Sequence, residues 1–250
     1  MEFIIVTFAS FLAGFVDSIV GGGGLILVPA MFAMFPNAHP ATLFGVNKSA
    51  SMWGTAAAAW QYAHRVTMPW RSLLPALVLA VVGSFLGAWA VTQVSPDGFR
   101  KALPFVLMAV FIYTLAKKDM GREHAPTLTP NQERWVMALM GFVIGGYDGF
   151  FGPGTGSFFM LAVILLLGFN VKKATATTKL LNFTSNIASL AFFALGGHVL
   201  WLTGLVMGMG QMIGAWLGSQ LAIKHGGKII KPLLVISSMA LSIKLLLNDY

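Results

Sequence analysis

The sequence predicts an all-α, polytopic membrane protein of about eight transmembrane helices, built from two homologous halves with Gly-broken segments. Three observations carry this: an apolar composition, apolar tracts of membrane-spanning length, and a long internal repeat. Hydrophobic residues make up 57% of the chain and charged residues 10%, with a mean hydropathy of +0.79. Soluble domains run at about 45–50% apolar and about 25% charged, so a soluble fold could not hide this much apolar surface. A spanning helix needs about 20 apolar residues, so 250 residues fit a single integral membrane domain. Lys and Arg number 16 against 8 Asp and Glu, but the cations are scattered over short loops and read as topology signals, not as a nucleic-acid surface. With no cysteine, disulfides, thiolate metal sites and Cys nucleophiles are excluded, and no metal or cofactor is expected.

Apolar tracts run from about Phe3 to Phe35, Ser49 to Ala63, Leu73 to Val94, Ala102 to Ala116, Trp135 to Phe169, Leu180 to Leu195, Leu200 to Ile223 and Pro232 to Ile243. The first tract follows only Glu2, with no positively charged leader, so a cleaved signal peptide is not expected. Trp70, Trp135 and Trp201 stand where tracts begin, as interfacial anchors do. The polar stretch at 118–134, with Asp119, Arg122, Glu123, His124, Pro126 and Pro130, divides a first repeat, 1–117, from a second, 135–250.

The repeat is explicit. Asp17-Ser-Ile-Val-Gly21-Gly-Gly23 recurs 131 positions later as Asp148-Gly-Phe-Phe-Gly152-Pro-Gly154, and Lys48 and Lys179 keep that offset. Gly83-Ser-Phe-Leu-Gly87-Ala-Trp89 recurs 127 positions later as Gly210-Gln-Met-Ile-Gly214-Ala-Trp216. Three matches in one order argue for duplication, a common architecture of secondary transporters. Span parity decides whether the halves are parallel or inverted. The cations at Arg100, Lys101, Lys172, Lys173, Lys224, Lys228 and Lys231 favour four crossings per half with both termini outside; Arg65, Arg71 and the linker charges oppose that scheme.

The tract from Phe3 to Phe35 would be about 50 Å long as one helix, against about 30 Å of hydrocarbon. Gly21-Gly22-Gly23-Gly24 breaks it, and Gly152-Pro-Gly154-Thr155-Gly156 breaks its counterpart. Such breaks leave backbone groups that lipid cannot satisfy, so they face protein or water, and a restarting helix offers free N–H groups to an anion. Ser157 and Thr155 add hydroxyl donors. The pairs Gly83/Gly87, Gly141/Gly145 and Gly210/Gly214 read instead as close helix packing, with Trp89 and Trp216 as packing residues beside them.

Asp17 and Asp148 are the carboxylates within these apolar tracts, where a charge is expensive. Two roles stand open for them: proton coupling, or capping of amides at the breaks. Lys48 and Lys179 would neutralise an anionic substrate, pair with Asp17 and Asp148, or snorkel to an interface. Asn182 and Asn186 lie just beyond Lys179 and join the candidate substrate-binding set. His64 and His198 read as interfacial histidines, with a proton relay as the alternative.

Gly14-Phe-Val-Asp17-Ser-Ile-Val-Gly-Gly-Gly-Gly24-Leu with Pro29, and Tyr147-Asp148-Gly-Phe-Phe-Gly-Pro-Gly154, resemble the TauE/SafE family of anion transporters. Gly168-Phe-Asn170, Lys172-Lys-Ala-Thr-Ala176, Lys179-Leu-Leu-Asn182 and Thr184-Ser-Asn186 extend the likeness over essentially the whole chain. The resemblance implies a duplicated helical permease moving sulfite or an organosulfonate, with the Gly-rich segments along the path; the bacterial inner membrane is the expected location, and H+ is the candidate coupling ion through Asp17 or Asp148. Its partners would be the small anion and the bilayer, with no nucleic acid; self-association is left open.

The residues leave two other functions to consider. A passive anion channel could form from two facing broken segments. An intramembrane hydrolase using Ser157 and His198 has little support, because neither Gly-x-Ser-x-Gly nor His-Glu-x-x-His is present. No Gly-x-x-x-x-Gly-Lys-Ser/Thr loop points to ATP-driven pumping.

Overall fold

A computed structural model describes residues 2–116 and 125–225. Residues 117–124, which include the first part of the linker at 118–134, and the last apolar tract, with Lys228 and Lys231, lie outside the described residues. The described chain is helical: α1 (Glu2–Val20), α2 (Gly24–Met34), α3 (Pro40–Ala63), α4 (Trp70–Thr92), α5 (Pro96–Ala116), α6 (Pro130–Phe150), α7 (Thr155–Leu167), α8 (Val171–Leu195) and α9 (Trp201–His225).

Local chemistry sets the ends of these helices. Thr129 and Gln132 form a reciprocal capping box before α6, with Pro130 in the first turn, where a missing N–H costs nothing. The Asn170 side chain accepts from the Lys173 amide to start α8. Gly168 stops α7 in the left-handed region, at φ +67°.

Each Gly-broken tract is two helices joined by a reversal. A Cβ on Gly23 would lie 2.5 Å from the Ala13 carbonyl oxygen and 2.6 Å from the Asp17 Cβ. In a continuing helix Ala13 and Gly23 would be about 15 Å apart along the axis. The chain therefore turns back after Val20, and α2 returns toward the face where α1 began, here called the upper face.

Contacts fix the remaining directions. Thr7, Phe11 and Phe15 of α1 meet Gly210, Gly214 and Gly218 of α9 in register, so these helices are parallel. Ala76 and Ala80 of α4 meet Gly141 and Gly145 of α6, and Ser84 meets Gly149, again in parallel. By contrast, Gly45 touches Phe193 and His198 while Lys48 reaches Asn186, so α3 and α8 are antiparallel. Thus α1, α3, α5 and α9 run downward, and α4, α6 and α8 run upward.

The Gly pairs flagged as packing positions all take that role. Cβ atoms on Gly83 and Gly87 would collide with the carbonyl oxygens of Phe142 and Gly146, and one on Gly214 with that of Phe11. Small residues let the backbones approach this closely, which is how helices associate where lipid is as apolar as the side chains.

The opposite face of α4 is apolar and bare. Leu74, Val78, Val81, Val82, Phe85, Leu86 and Trp89 are all exposed, and α9 likewise exposes Leu202, Leu205, Met209, Ile213 and Leu217. A soluble monomer does not present such a surface, whereas hydrocarbon solvates it. Trp89 (54% exposed) and Trp216 (45%) belong to this outer surface, which corrects their expected place in the packing. Trp70, Trp135 and Trp201 are exposed at helix starts, as anchors should be.

By length and composition alone, α4 is the one described helix that qualifies as a membrane span. The long interior helices α3 and α8 fall short because they carry the buried polar residues of the site, including Asn47, Lys48, Thr178, Lys179, Asn182 and Asn186.

Candidate functional site

The two breaks cross backbone to backbone. Gly21 has φ +79°, open only to glycine at low cost, and a Cβ there would collide with Gly156. Reciprocally, a Cβ on Gly156 would lie 2.5 Å from the Gly21 Cα, and one on Gly24 would lie 2.9 Å from the Pro153 Cα. Ser157 seals the crossing: its hydroxyl donates to the Val20 carbonyl at 2.6 Å and its amide to the Gly21 carbonyl at 3.3 Å. These are among the carbonyls that the end of α1 leaves without intrahelical partners. Gly152 (φ +92°) and Gly154 (φ +81°) bend the second break, which is braced by Tyr147 Oη donating to the Pro153 carbonyl and Thr155 Oγ1 to that of Gly152.

Two buried ion pairs flank the crossing, and each joins one repeat to the other. Lys48 Nζ lies 2.7 Å from Asp148 Oδ2 and also donates to Asn186 Oδ1 at 3.1 Å. Lys179 Nζ lies 3.1 Å from Asp17 Oδ2 and also donates to the Asp17 main-chain carbonyl. Both lysines are only 1% exposed, so neither snorkels to an interface. Ser185 Oγ donates to Asp148 Oδ2 at 2.7 Å, and Asp17 Oδ1 accepts from the Gly23 amide at 3.3 Å. Asp17 is therefore both ion-pair partner and amide cap.

Between the breaks lies a small cavity with room for about one water. Of the residues singled out from sequence, Asp17, Gly21, Gly23, Gly24, Lys48, Asp148, Gly152, Thr155, Gly156, Asn182 and Asn186 line it. Gly22, Gly154, Ser157 and Lys179 do not. The Gly22 carbonyl accepts from the Leu25 amide, Gly154 packs against Val110, and Ser157 and Lys179 are engaged with α1. Gly24 and Gly156, at the first turns of α2 and α7, have amides with no acceptor among the described residues.

Asn47, Ser51, Thr55 and Gln211 complete the lining and were not singled out from sequence. Gln211 Nε2 donates to Ser51 Oγ at 3.2 Å, and Asn186 Nδ2 to Thr55 Oγ1 at 3.5 Å. The signal for two of them was present: Ser51 and Thr55 stand 131 positions before Asn182 and Asn186. At the 127 offset Gln211 answers to Ser84, which bonds Ser185 and Ser189 deep between α4 and α8.

Residues 6–245 match the family described as Sulfite exporter TauE/SafE. The chain belongs to this family. It is 46% identical over 240 residues to the probable membrane transporter protein ORF9 of Sinorhizobium sp, covering 95% of this chain and 90% of that protein. It is 40% identical over 248 residues to the probable membrane transporter protein YfcA of Escherichia coli K12, covering 97% and 89%. With YunE of Bacillus subtilis, also a probable membrane transporter protein, identity is 25% over 92% of each chain. No solved structure matches. Membership makes this an integral membrane transporter, and the bare apolar surface of α4 and α9 is of the kind that hydrocarbon covers.

Proposed function

We propose that the protein is a secondary transporter of the bacterial inner membrane for a small anion, sulfite or an organosulfonate, bound between the two Gly-rich breaks. The observation that carries this is the convergence, on one buried cavity, of the Lys48 ammonium and the unpartnered first-turn residues Gly24 and Gly156. Helix N-termini with free amides favour negative charge, and a desolvated cation adds to it. Asn47, Asn186 and Thr155 supply neutral donors around them. A site with room for about one water suits a carrier better than a continuous open pore.

The two halves are read as inverted repeats. α1 and α2 are matched by α6 and α7, α3 by α8, and α4 by α9; the antiparallel course of α3 and α8 turns one half over relative to the other. Of the two orientations left open by the sequence, this one also accommodates the loop charges. Arg65, Arg71, Arg134, Lys172, Lys173 and Lys224 lie toward the lower face, against Arg100 and Lys101 at the upper. The positive-inside rule makes the lower face cytoplasmic and the start of α1 external.

Uptake of radiolabelled sulfite into proteoliposomes tests the function. Wild-type protein should give saturable uptake and exchange with internal sulfite, and Lys48→Met should lower it by about tenfold or more, the effect of losing about 1.4 kcal/mol of binding. Uptake untouched by Lys48→Met would remove the cavity from the path.

A further inference from the structure

The two ion pairs occupy equivalent positions in the repeats, yet they are not equivalent in structure. Every oxygen of Asp17 is engaged: Oδ1 by the Gly23 amide, Oδ2 by Lys179, and the main-chain carbonyl by Lys179 and by the Gly21 amide. On Asp148 both bonds fall on Oδ2, from Lys48 and from Ser185. Among the described residues its Oδ1 has no hydrogen-bond partner, and Asp148 lines the cavity.

The sequence explains the difference. Where the first repeat has Gly22, the second has Pro153; where the first has Gly54, the second has Ser185. Proline fixes its own φ and sends the second break along another course, through Gly154 at φ +81° where Gly23 has −58°. Asp148 consequently does not cap the Gly154 amide as Asp17 caps that of Gly23, and the Ser185 hydroxyl holds it instead.

Charge then dictates a role. Two lysines and two aspartates leave the empty site neutral, and a monoanion would make it negative in a low-dielectric interior, which is strongly unfavourable unless a proton follows. We infer that Asp148 is the proton-coupling carboxylate, so that each monoanion bound at Lys48 is matched by one proton on Asp148 and the cycle is electroneutral H+–anion cotransport. This rests on the anion-transport reading above.

In the step itself the Lys48–Asp148 ion pair opens and a proton from water bonds to Asp148 Oδ1. The Ser185 hydroxyl keeps Oδ2, and Lys48, still a full ammonium, turns to the anion. Release on the other side reverses each change. The charged groups facing Asp148 are Lys48 from α3 and, across the cavity, Asp17 of α1 with its partner Lys179 of α8. Tyr147 beside it is held by Pro153; α7 carries no titratable group, and the one on α4, Arg71, is exposed at the lower end. The Asp17–Lys179 pair stays closed throughout and staples the first break.

The test uses radiolabelled methanesulfonate, the anion of a strong acid, so that any proton carried must ride on the protein. In proteoliposomes with the pH gradient and the membrane potential set independently, wild-type protein should accumulate the label when the substrate side is acidic and ignore the potential. Asp148→Asn should lose accumulation by the pH gradient and respond to the potential. Asp17→Asn should yield less folded protein, and what folds should keep its dependence on the pH gradient. Independently of any variant, methanesulfonate binding to wild-type protein in weakly buffered detergent should take up one proton per anion, read by an indicator dye. Potential-driven wild-type uptake, binding without proton uptake, or an Asp148→Asn protein still driven by the pH gradient would each overturn the coupling role while leaving anion transport standing. Absence of both binding and flux, for sulfite and methanesulfonate alike, would overturn the transport reading and this one with it.

Discussion

Lys179→Met removes the cation from a pair in which Lys179 is 1% exposed and the Asp17 side chain 16%. At 3.1 Å the gross attraction is about 5 kcal/mol for an effective dielectric of about 20. Deleting one member of a buried pair costs about 3–5 kcal/mol, because the other charge is left without compensation. Here the Asp17 main-chain carbonyl also loses a donor. For a chain of this size each kcal/mol moves the thermal midpoint by about 2–4 °C, so a fall of about 6–20 °C is expected, read by fluorescence-detected size exclusion after heating in detergent. The double variant Asp17→Asn/Lys179→Met should recover at least half of that loss, since an asparagine Oδ1 still accepts from the Gly23 amide and no charge remains. A midpoint within about 2 °C of wild type for Lys179→Met, or a double variant no better than the single, would refute the claim that this ion pair staples the break.

Gly87→Ala should lower the yield of folded protein sharply, because its Cβ would collide with the Gly146 carbonyl, whereas Gly146→Ala in the same interface meets its nearest atom at 3.5 Å and should be tolerated; size-exclusion profiles compare them. The ring of His39 accepts from the Ala41 amide at the start of α3 and is held below the usual histidine pKa of 6.5, first by burial and then by the charges of His198 and Arg100. The unfolded chain therefore binds the proton more readily. Stability from this group is complete above about pH 6.5 and declines as the pH falls toward its folded value, so thermal midpoints should drop on acidification and His39→Asn, which keeps the cap, should flatten that slope. The effect is modest because the ring is largely exposed. Since the chain has no cysteine, single substitutions report topology cleanly: in intact cells an impermeant maleimide should label Asp97→Cys and not Lys172→Cys, and the reverse pattern would turn the protein over in the membrane.

Much of the site was legible because repetition marked it. The 131-residue offset picked out Asp17 with Asp148, the Gly runs, and Lys48 with Lys179, and these meet around the crossing of the breaks. The crossed pairing was not legible, since offset says which residues correspond and not which ones touch. Gly21 to Gly24 announced a break, but the reversal that follows is set by the packing of Gly23 on Ala13 and Asp17. That reversal adds a turn to each half, which a count of eight simple crossings leaves out. Ser157 looked like a donor to ligand because its hydroxyl sits at a helix start; the nearby carbonyl of Val20 claims it. Trp89 and Trp216 misled because they follow Gly-Ala, yet a helical residue two positions from a packing glycine faces away from it.

The packing of α1 on α9 has a consequence for how the chain is made. α1 finds its parallel partner in α9, made about 200 residues later, and α4 finds its own in α6, across the linker. No fragment ending near residue 117 contains the glycine face that α1 packs on, so that contact can form only once α9 has been made. Two separately synthesised pieces divided at the linker should each be poor at holding their shape, and should find one another when made in the same membrane.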